Sequence, residues 1–190
     1  MAMMQELEAL NQVLSVTGDA PVVNLTSTYE QAIIARRILN EVSREQQAKG
    51  YWFNEVDELL ILQDVNTGEI NLPTDTIRCD IPRDRGSLVQ RGLKIFNKKT
   101  NSYTINEDVY VDIVSELTWD LLPQSFRQYV TSLAKLRYNT EYFGSKETEQ
   151  VIKQDIAIYG LEVEKEDIEN RDINMLENTR SGSIAFRNRG

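Results

Sequence analysis

The apolar residues of this chain repeat at helical spacing near both ends and at the short, alternating spacing of strands in between. That change of period, at Gly50 and back again at Pro123, constrains the fold most, because a pattern written for one element cannot bury its apolar face as the other. Near the start, Leu7, Leu10 and Leu14 fall three and four apart, the stripe of a short helix over 6–16. Gly18 suits the left-handed position that closes a helix, and Pro21 cannot continue one. A second helix is predicted from Thr26 or Ser27, either of which can cap its free N–H groups, to Lys49, with Gly50 as the stop. Tyr29, Ala32, Ile33, Leu39 and Val42 share one side of it, and Ile34 and Ile38 widen the apolar arc. Such a helix is expected to meet neighbours on two faces.

Between the two changes of period, Tyr51-Trp52-Phe53 and Leu59-Leu60-Ile61-Leu62 read as strands. Further strands are predicted at 69–72, 76–81, 88–91, 93–97, 102–105 and 109–117, punctuated by Pro73, Pro82, Gly86, Gly92 and Asn101. In the last, Val109, Val111 and Ile113 face one way while Tyr110, Asp112 and Val114 face the other. Short strands with no helical crossover between them imply an antiparallel sheet. From Pro123, well placed in a first helical turn, Phe126, Val130, Leu133 and Ala134 follow helical spacing to Tyr142-Phe143, and Gly144 stops the helix. Ser145 can cap the next helix, whose inner face is expected to hold Val151, Ile152, Ile156 and Tyr159, with Gly160 as its end or interruption. The stretch 162–177 is densely charged and reads as solvated or partner-facing. The fold class is therefore α+β: a helical bundle from N- and C-terminal helices (1–50 and 122–178), an inserted antiparallel β domain (51–121) and an extended C-terminal arm (179–190).

Composition removes whole classes of function. The 190 residues hold 30 acids against 21 Lys and Arg, a formal charge of −9. A chain so acidic is no general nucleic-acid binder, because neutralising phosphates needs clustered cations. It contains no His and a single Cys, Cys79, which excludes an internal disulfide, the common zinc sites and His-based catalysis. No cofactor and no metal site are expected. No apolar run approaches the roughly 18 residues of a membrane helix. The start, Met1-Ala2-Met3-Met4-Gln5-Glu6, lacks the basic and apolar regions of a signal peptide, so a soluble protein made in a cytoplasm is expected.

The chemical motifs are weak. Glu55, Asp57 and Glu58 offer paired carboxylates of the kind a glycosidase uses, but an acidic loop between strands gives the same pattern and is the favoured reading. A cell-wall or polysaccharide hydrolase using these acids is the alternative function. The run from Asp64 to Glu69 fails the calcium-loop pattern where Gly68 and Glu69 stand, and reads as a hairpin turn. Arg85-Gly86-Ser87 lacks the strand–loop–helix setting of a phosphate site, and Cys79 reads as a small buried hydrophobe. Arg91, Lys94, Lys98 and Lys99, interleaved with Phe96, read as charges guarding an edge strand. The last twelve residues carry Arg180, Arg187 and Arg189 and no acid, and Ile184 and Phe186 need something to cover them. Gly182 and the serines argue against helix there, so 179–190 reads as an interaction arm or a frayed end.

Three segments carry a resemblance. Leu10-Asn11-Gln12-Val13-Leu14-Ser15-Val16-Thr17-Gly18, followed by Ala20-Pro21-Val22, resembles the N-terminal helix and turn of tail tubular protein A of short-tailed phages. Ala35-Arg36-Arg37-Ile38-Leu39-Asn40, then Gly50-Tyr51-Trp52-Phe53-Asn54, is similar to that family's Ala-Arg-Arg-Ile-Leu-Asn helix and its Gly-Trp-x-Phe-Asn lead-in to the sheet, with Tyr51 in place of the Trp. Leu122-Pro123 through Phe126-Arg127 to Phe143-Gly144 resembles the family's Pro-x-x-Phe-Arg helix ending in Phe-Phe-Gly, with Tyr142 for the first Phe. The resemblance implies a structural protein of the virion tail, not an enzyme, made in the host bacterial cytoplasm. It implies a dodecameric ring joining the portal protein to the tail nozzle (tail tubular protein B), with tail fibres docking near that boundary. DNA would pass through the ring without specific binding, and no membrane is involved. On this reading Arg180, Ile184, Phe186, Arg187 and Arg189 are expected to bind the portal. Tyr29, Ile34, Arg37 and Ile38 are expected to contact neighbouring subunits.

Overall fold

Glu6–Leu14 forms the first helix, α1, and buries Ala9, Leu10, Val13 and Leu14, with Glu6 and Glu8 at its positive end. One 3-10 turn, Ser15–Thr17, follows, and Gly18 closes it at φ 77°. The Asn11 amide then clasps the returning chain, donating to Val22 O at 3.0 Å and accepting from Val22 N at 2.8 Å. These coordinates are a computed structural model that describes residues 3–82, 86–142 and 144–187, with side chains as far as Arg171. Helix α2 (Glu30–Gln47) starts later than either predicted cap. Ser27 Oγ instead accepts from Tyr29 N at 3.3 Å, ahead of the first turn. Ala32, Ala35, Ile38, Leu39 and Val42 are buried along α2, but Ile33, expected beside them, is 56% exposed.

The chain divides into two compact units, Met1–Ser43 with Trp119–Gly190, and Arg44–Thr118. In the first, α3 (Gln124–Tyr142) packs against both α1 and α4 (Lys146–Arg187). Pro123 precedes the first turn of α3 and its carbonyl accepts from Arg127 N at 3.0 Å. Phe126, Val130, Ala134 and Tyr138 are buried on α3, Ile152 and Val163 on α4. Ser145 caps α4 by accepting from Thr148 N at 3.2 Å.

The largest departure from expectation is α4. A helix ending near Gly160, a solvated stretch and an extended arm were expected; the backbone is instead one helix of 42 residues, to Arg187. Gly160 lies where α4 crosses α3, and a Cβ there would stand 3.3 Å from the Tyr129 ring, so the glycine serves close packing and the helix runs through it. Gly182 likewise does not break the helix: one interior glycine costs only about 1 kcal/mol.

The second unit holds a three-stranded antiparallel sheet, β1 (Glu55–Ile61), β5 (Val109–Ser115) and β2 (Thr76–Asp80), in the order β1-β5-β2. A separate hairpin, β3 (Leu88–Arg91) with β4 (Lys94–Asn97), pairs Arg91 with Lys94 across a two-residue turn. Their core gathers Ile70, Leu72, Cys79, Leu88, Ile95, Val109, Val111 and Ile113. Three predicted strands are corrected. Residues 69–72 and 102–105 make only isolated bridges, and Tyr51-Trp52-Phe53 is a turn whose rings pack on one another, Tyr51 stacked on Phe53 at 5.6 Å. Aromatic residues raised the strand reading there, but ring packing and a buried Asn, not a ladder, fix that backbone.

Candidate functional site

Among the described residues the sequence candidates do not converge on one catalytic cluster, and of them Glu58 lines a cleft of about 330 Å³ with Pro82, Tyr110 and Asp112. Glu55, Asp57 and Glu58 lie in β1, a sheet edge, not in a loop as expected. Glu55 stands 3.5 Å from the Arg78 guanidinium. Glu58 falls at the register shift between Val56 and Leu59, at φ 52°, with its N–H donated to Asp112 Oδ1 at 2.9 Å. Charges and a bulge along an edge strand block pairing with other sheets. Asp64 folds its own turn: Oδ1 accepts from Asn66 N and Thr67 N, each at 2.9 Å, and these backbone N–H groups hold its carboxyl below the usual range. Among the described residues no group of three acids or thiols is placed to hold a metal. The cations of the β hairpin are engaged within the unit. The Arg91 guanidinium lies 3.5 Å from the centre of the Phe96 ring, and Lys94 pairs with Glu69. Arg85 lies outside the described residues.

Polar side chains instead hold backbone. In the second unit, buried Asn54 donates to Gln47 O at 3.0 Å and Ser115 O at 2.9 Å and accepts from Tyr51 N at 2.9 Å. Gln47, also buried, donates to Leu117 O at 3.2 Å and accepts from Leu117 N at 2.7 Å. Arg78 Nη1 donates to the last carbonyls behind α2, Ala48 O and Lys49 O, at 3.0 Å each, a cation at a helix C-terminus. In the first unit, the buried Arg127 guanidinium donates to Leu122 O, Met4 O and Asp120 O at 2.8, 2.8 and 2.9 Å. Asp19 accepts from Tyr29 and Tyr138 at 3.2 Å each, and from Thr17. Burial and the Asp19 charge push the Tyr138 hydroxyl up to about 12. The motif residues Asn54, Phe126 and Arg127 are thus fixed inside the subunit.

Large apolar side chains are left exposed on the sheet, where Leu60 faces Tyr110 across β1 and β5, and on two helices. Tyr29, just ahead of α2, and Ile33, Arg37 and Asn40 on it form an exposed line at helical spacing. Beside it is a groove of about 370 Å³ between α2 and the loop at Leu25 and Thr26. Arg36 pins that loop, donating to Leu25 O at 3.2 Å and pairing with Glu6 at 3.1 Å, and Arg37 pairs with Glu41 at 2.8 Å. Of the four expected ring contacts, Tyr29 and Arg37 are exposed, Ile34 is half-buried, and Ile38 is fully buried, packing the helix from beneath. On α4, Val151, expected inside, is exposed together with Ile158, Leu161 and Ile168. The 7-3-7 spacing of these four was legible in the sequence as a second stripe. Of the expected portal-binding residues, Arg180, Ile184, Phe186 and Arg187 lie on the backbone of α4 with side chains outside the described residues, as is Arg189 altogether.

A chain whose polar groups knit its own backbone and which keeps large apolar side chains exposed on both helices and sheet has the surface of an assembly component. The model of the tail tubular protein family matches residues 7–173, and the chain belongs to that family. It is a structural component of a phage tail. No curated protein matches it. Among the described residues no helix is long and apolar enough to cross a membrane.

Proposed function

We propose that this protein forms a closed ring, a dodecamer by family likeness, between the portal and the nozzle of a short-tailed phage and lines the channel through which DNA leaves. It would be made in the host cytoplasm and work in the virion tail. The observation that carries the reading is the family match over 7–173, nearly the whole chain. Two physical features support it. Exposed apolar residues on two different helices of one unit suit the heterologous, head-to-tail contacts that close a ring. A net charge of −9 suits a wall that repels phosphates. Tyr29 and Arg37, with Ile34 at the flank, are the proposed subunit contacts, and the basic segment 179–190 the proposed portal contact, with the tail fibre near the nozzle boundary. Neither the family nor the pairing of Glu55 with Arg78 supports a hydrolase.

Electron microscopy of the protein mixed with its portal tests the reading. A ring seated coaxially on the portal is expected, and deletion of 179–190 should lower its occupancy. Portal complexes saturated equally by full-length and truncated protein would remove the arm's proposed role, and failure to form any ring would remove the function.

A further inference from the structure

Helix α4 has two apolar faces. Ile152 and Val163 point inward, at 2% and 1% exposure, whereas Val151, Ile158, Leu161 and Ile168 are 55–66% exposed. The outward four occupy a and d positions of consecutive heptads, with Gln154 and Lys165 completing the set. They therefore form a seam about 26 Å long at 1.5 Å per residue. Its border repeats acids at the same interval, Asp155, Glu162 and Glu169, and Glu164 flanks the other side. A solvated helix face does not need large apolar residues at four of the six positions of a seam.

We infer that this seam is where the next copy of the chain docks, and that it lies against the Tyr29–Ile33–Arg37 line and adjoining groove of that copy's α2. The inference rests on the ring proposed above. Charge favours this occupant: Asp155, Glu162 and Glu169 border the seam, and Arg36 and Arg37, which hold Glu6 and Glu41 within the single chain, stand beside the α2 line. Two copies of α4 face to face would set acid against acid, a like-charge cost, and would give a self-complementary dimer instead of a ring. The line from Tyr29 to Asn40 covers about 17 Å of that seam at 1.5 Å per residue. Ile33 supplies an apolar side chain to enter the seam, with Tyr29 one turn before it and Arg37 one turn after it, where the acidic border runs.

The test uses two cysteine variants, Ile33→Cys and Leu161→Cys, in rings formed free or on the portal and treated with a short bis-maleimide. The double variant should yield a ladder of covalent oligomers, each single variant none, and a mixture of the two singles a dimer. Intact rings that give no ladder, or Leu161→Cys cross-linking to itself, would overturn the docking while leaving the ring reading standing. Wild-type protein that forms no ring under any condition would overturn both. Independently, Leu161→Glu with Ile168→Glu should abolish ring assembly while the isolated subunit melts within a few degrees of wild type. Rings that still form with both glutamates in place would also overturn the docking.

Discussion

Arg127 shows what one buried cation can organise. Its guanidinium meets three carbonyls from before α1, before α3 and the turn between, and the whole residue is 2% exposed. Carbonyls arranged this way lose their donors together if the side chain is cut back, and each buried polar atom left unpaired is costly. Arg127→Met fills a similar volume without the donors and should lower stability by about 2–4 kcal/mol in a urea titration, most of it the cost of stranded carbonyls. Arg127→Lys should recover little, because one ammonium cannot reproduce the fork. Cys79 illustrates the opposite case, a polar atom that is quiet. Burial, with the charges of Asp80 and Asp112, pushes its thiol up to about 11. Since the thiolate is the reactive form, alkylation by iodoacetamide at pH 8 should run on the order of a hundredfold slower than for a free thiol, and at full speed in denaturant. Rapid native labelling would mean the β unit opens readily around it.

At the scale of elements, the turn from Asp64 to Gly68 carries the sharpest local predictions. Gly68 adopts φ 67°, and a Cβ on it would collide with Asn106 Oδ1. Gly68→Ala should therefore destabilise the unit by about 1–3 kcal/mol, from backbone strain before any clash is counted. Asp64 ties the same turn to pH. Its folded carboxyl titrates below the usual carboxylate range because of the N–H groups of Thr67 and Asn66. Its contribution is thus complete above the unfolded pKa and disappears as pH falls through the lowered folded value. The gap in denaturation midpoint between wild type and Asp64→Asn should be widest near neutrality and close in acid; a gap constant with pH would assign the effect to shape alone.

These elements also show what a sequence makes legible. β3 was legible to the residue, and β4 and β5 to within a residue or two, because Gly86, Gly92 and Asn101 bracket the first two and the third alternates Val109, Val111 and Ile113 with Tyr110 and Asp112. The two missed ladders, at 69–72 and 102–105, have the right composition but meet partners at single bridges, and pairing is a tertiary fact. On α2 and α4 the apolar residues cover more than one face, so periodicity alone does not say which face is inner. Ile33 and Val151 were placed inside for that reason, and both are outside. The two surfaces proposed for assembly are thus the places where local pattern and burial disagree, as expected where apolar side chains are kept for a partner.

For the whole molecule, charge is the property that acts at a distance. The total is −9, yet the last twelve residues hold three Arg and no acid, which leaves −12 on the preceding 178. Two uses of that basic end can be separated. If it served DNA, its three charges would neutralise at most three phosphates against a strongly acidic body, and what affinity resulted would fall steeply with salt. If it serves another protein, DNA should be ignored by both the full chain and a chain ending at residue 178. The second outcome is expected: in a gel-shift titration with duplex DNA at low salt, neither form should retard the probe at micromolar protein. The proposed ring would concentrate the acidic field around a lumen and make its grip on DNA weaker still, since clefts lined by one sign of charge focus that field. Retardation that is lost on truncation and on raising salt would show that the basic end holds the genome, and the portal would no longer be its partner of choice.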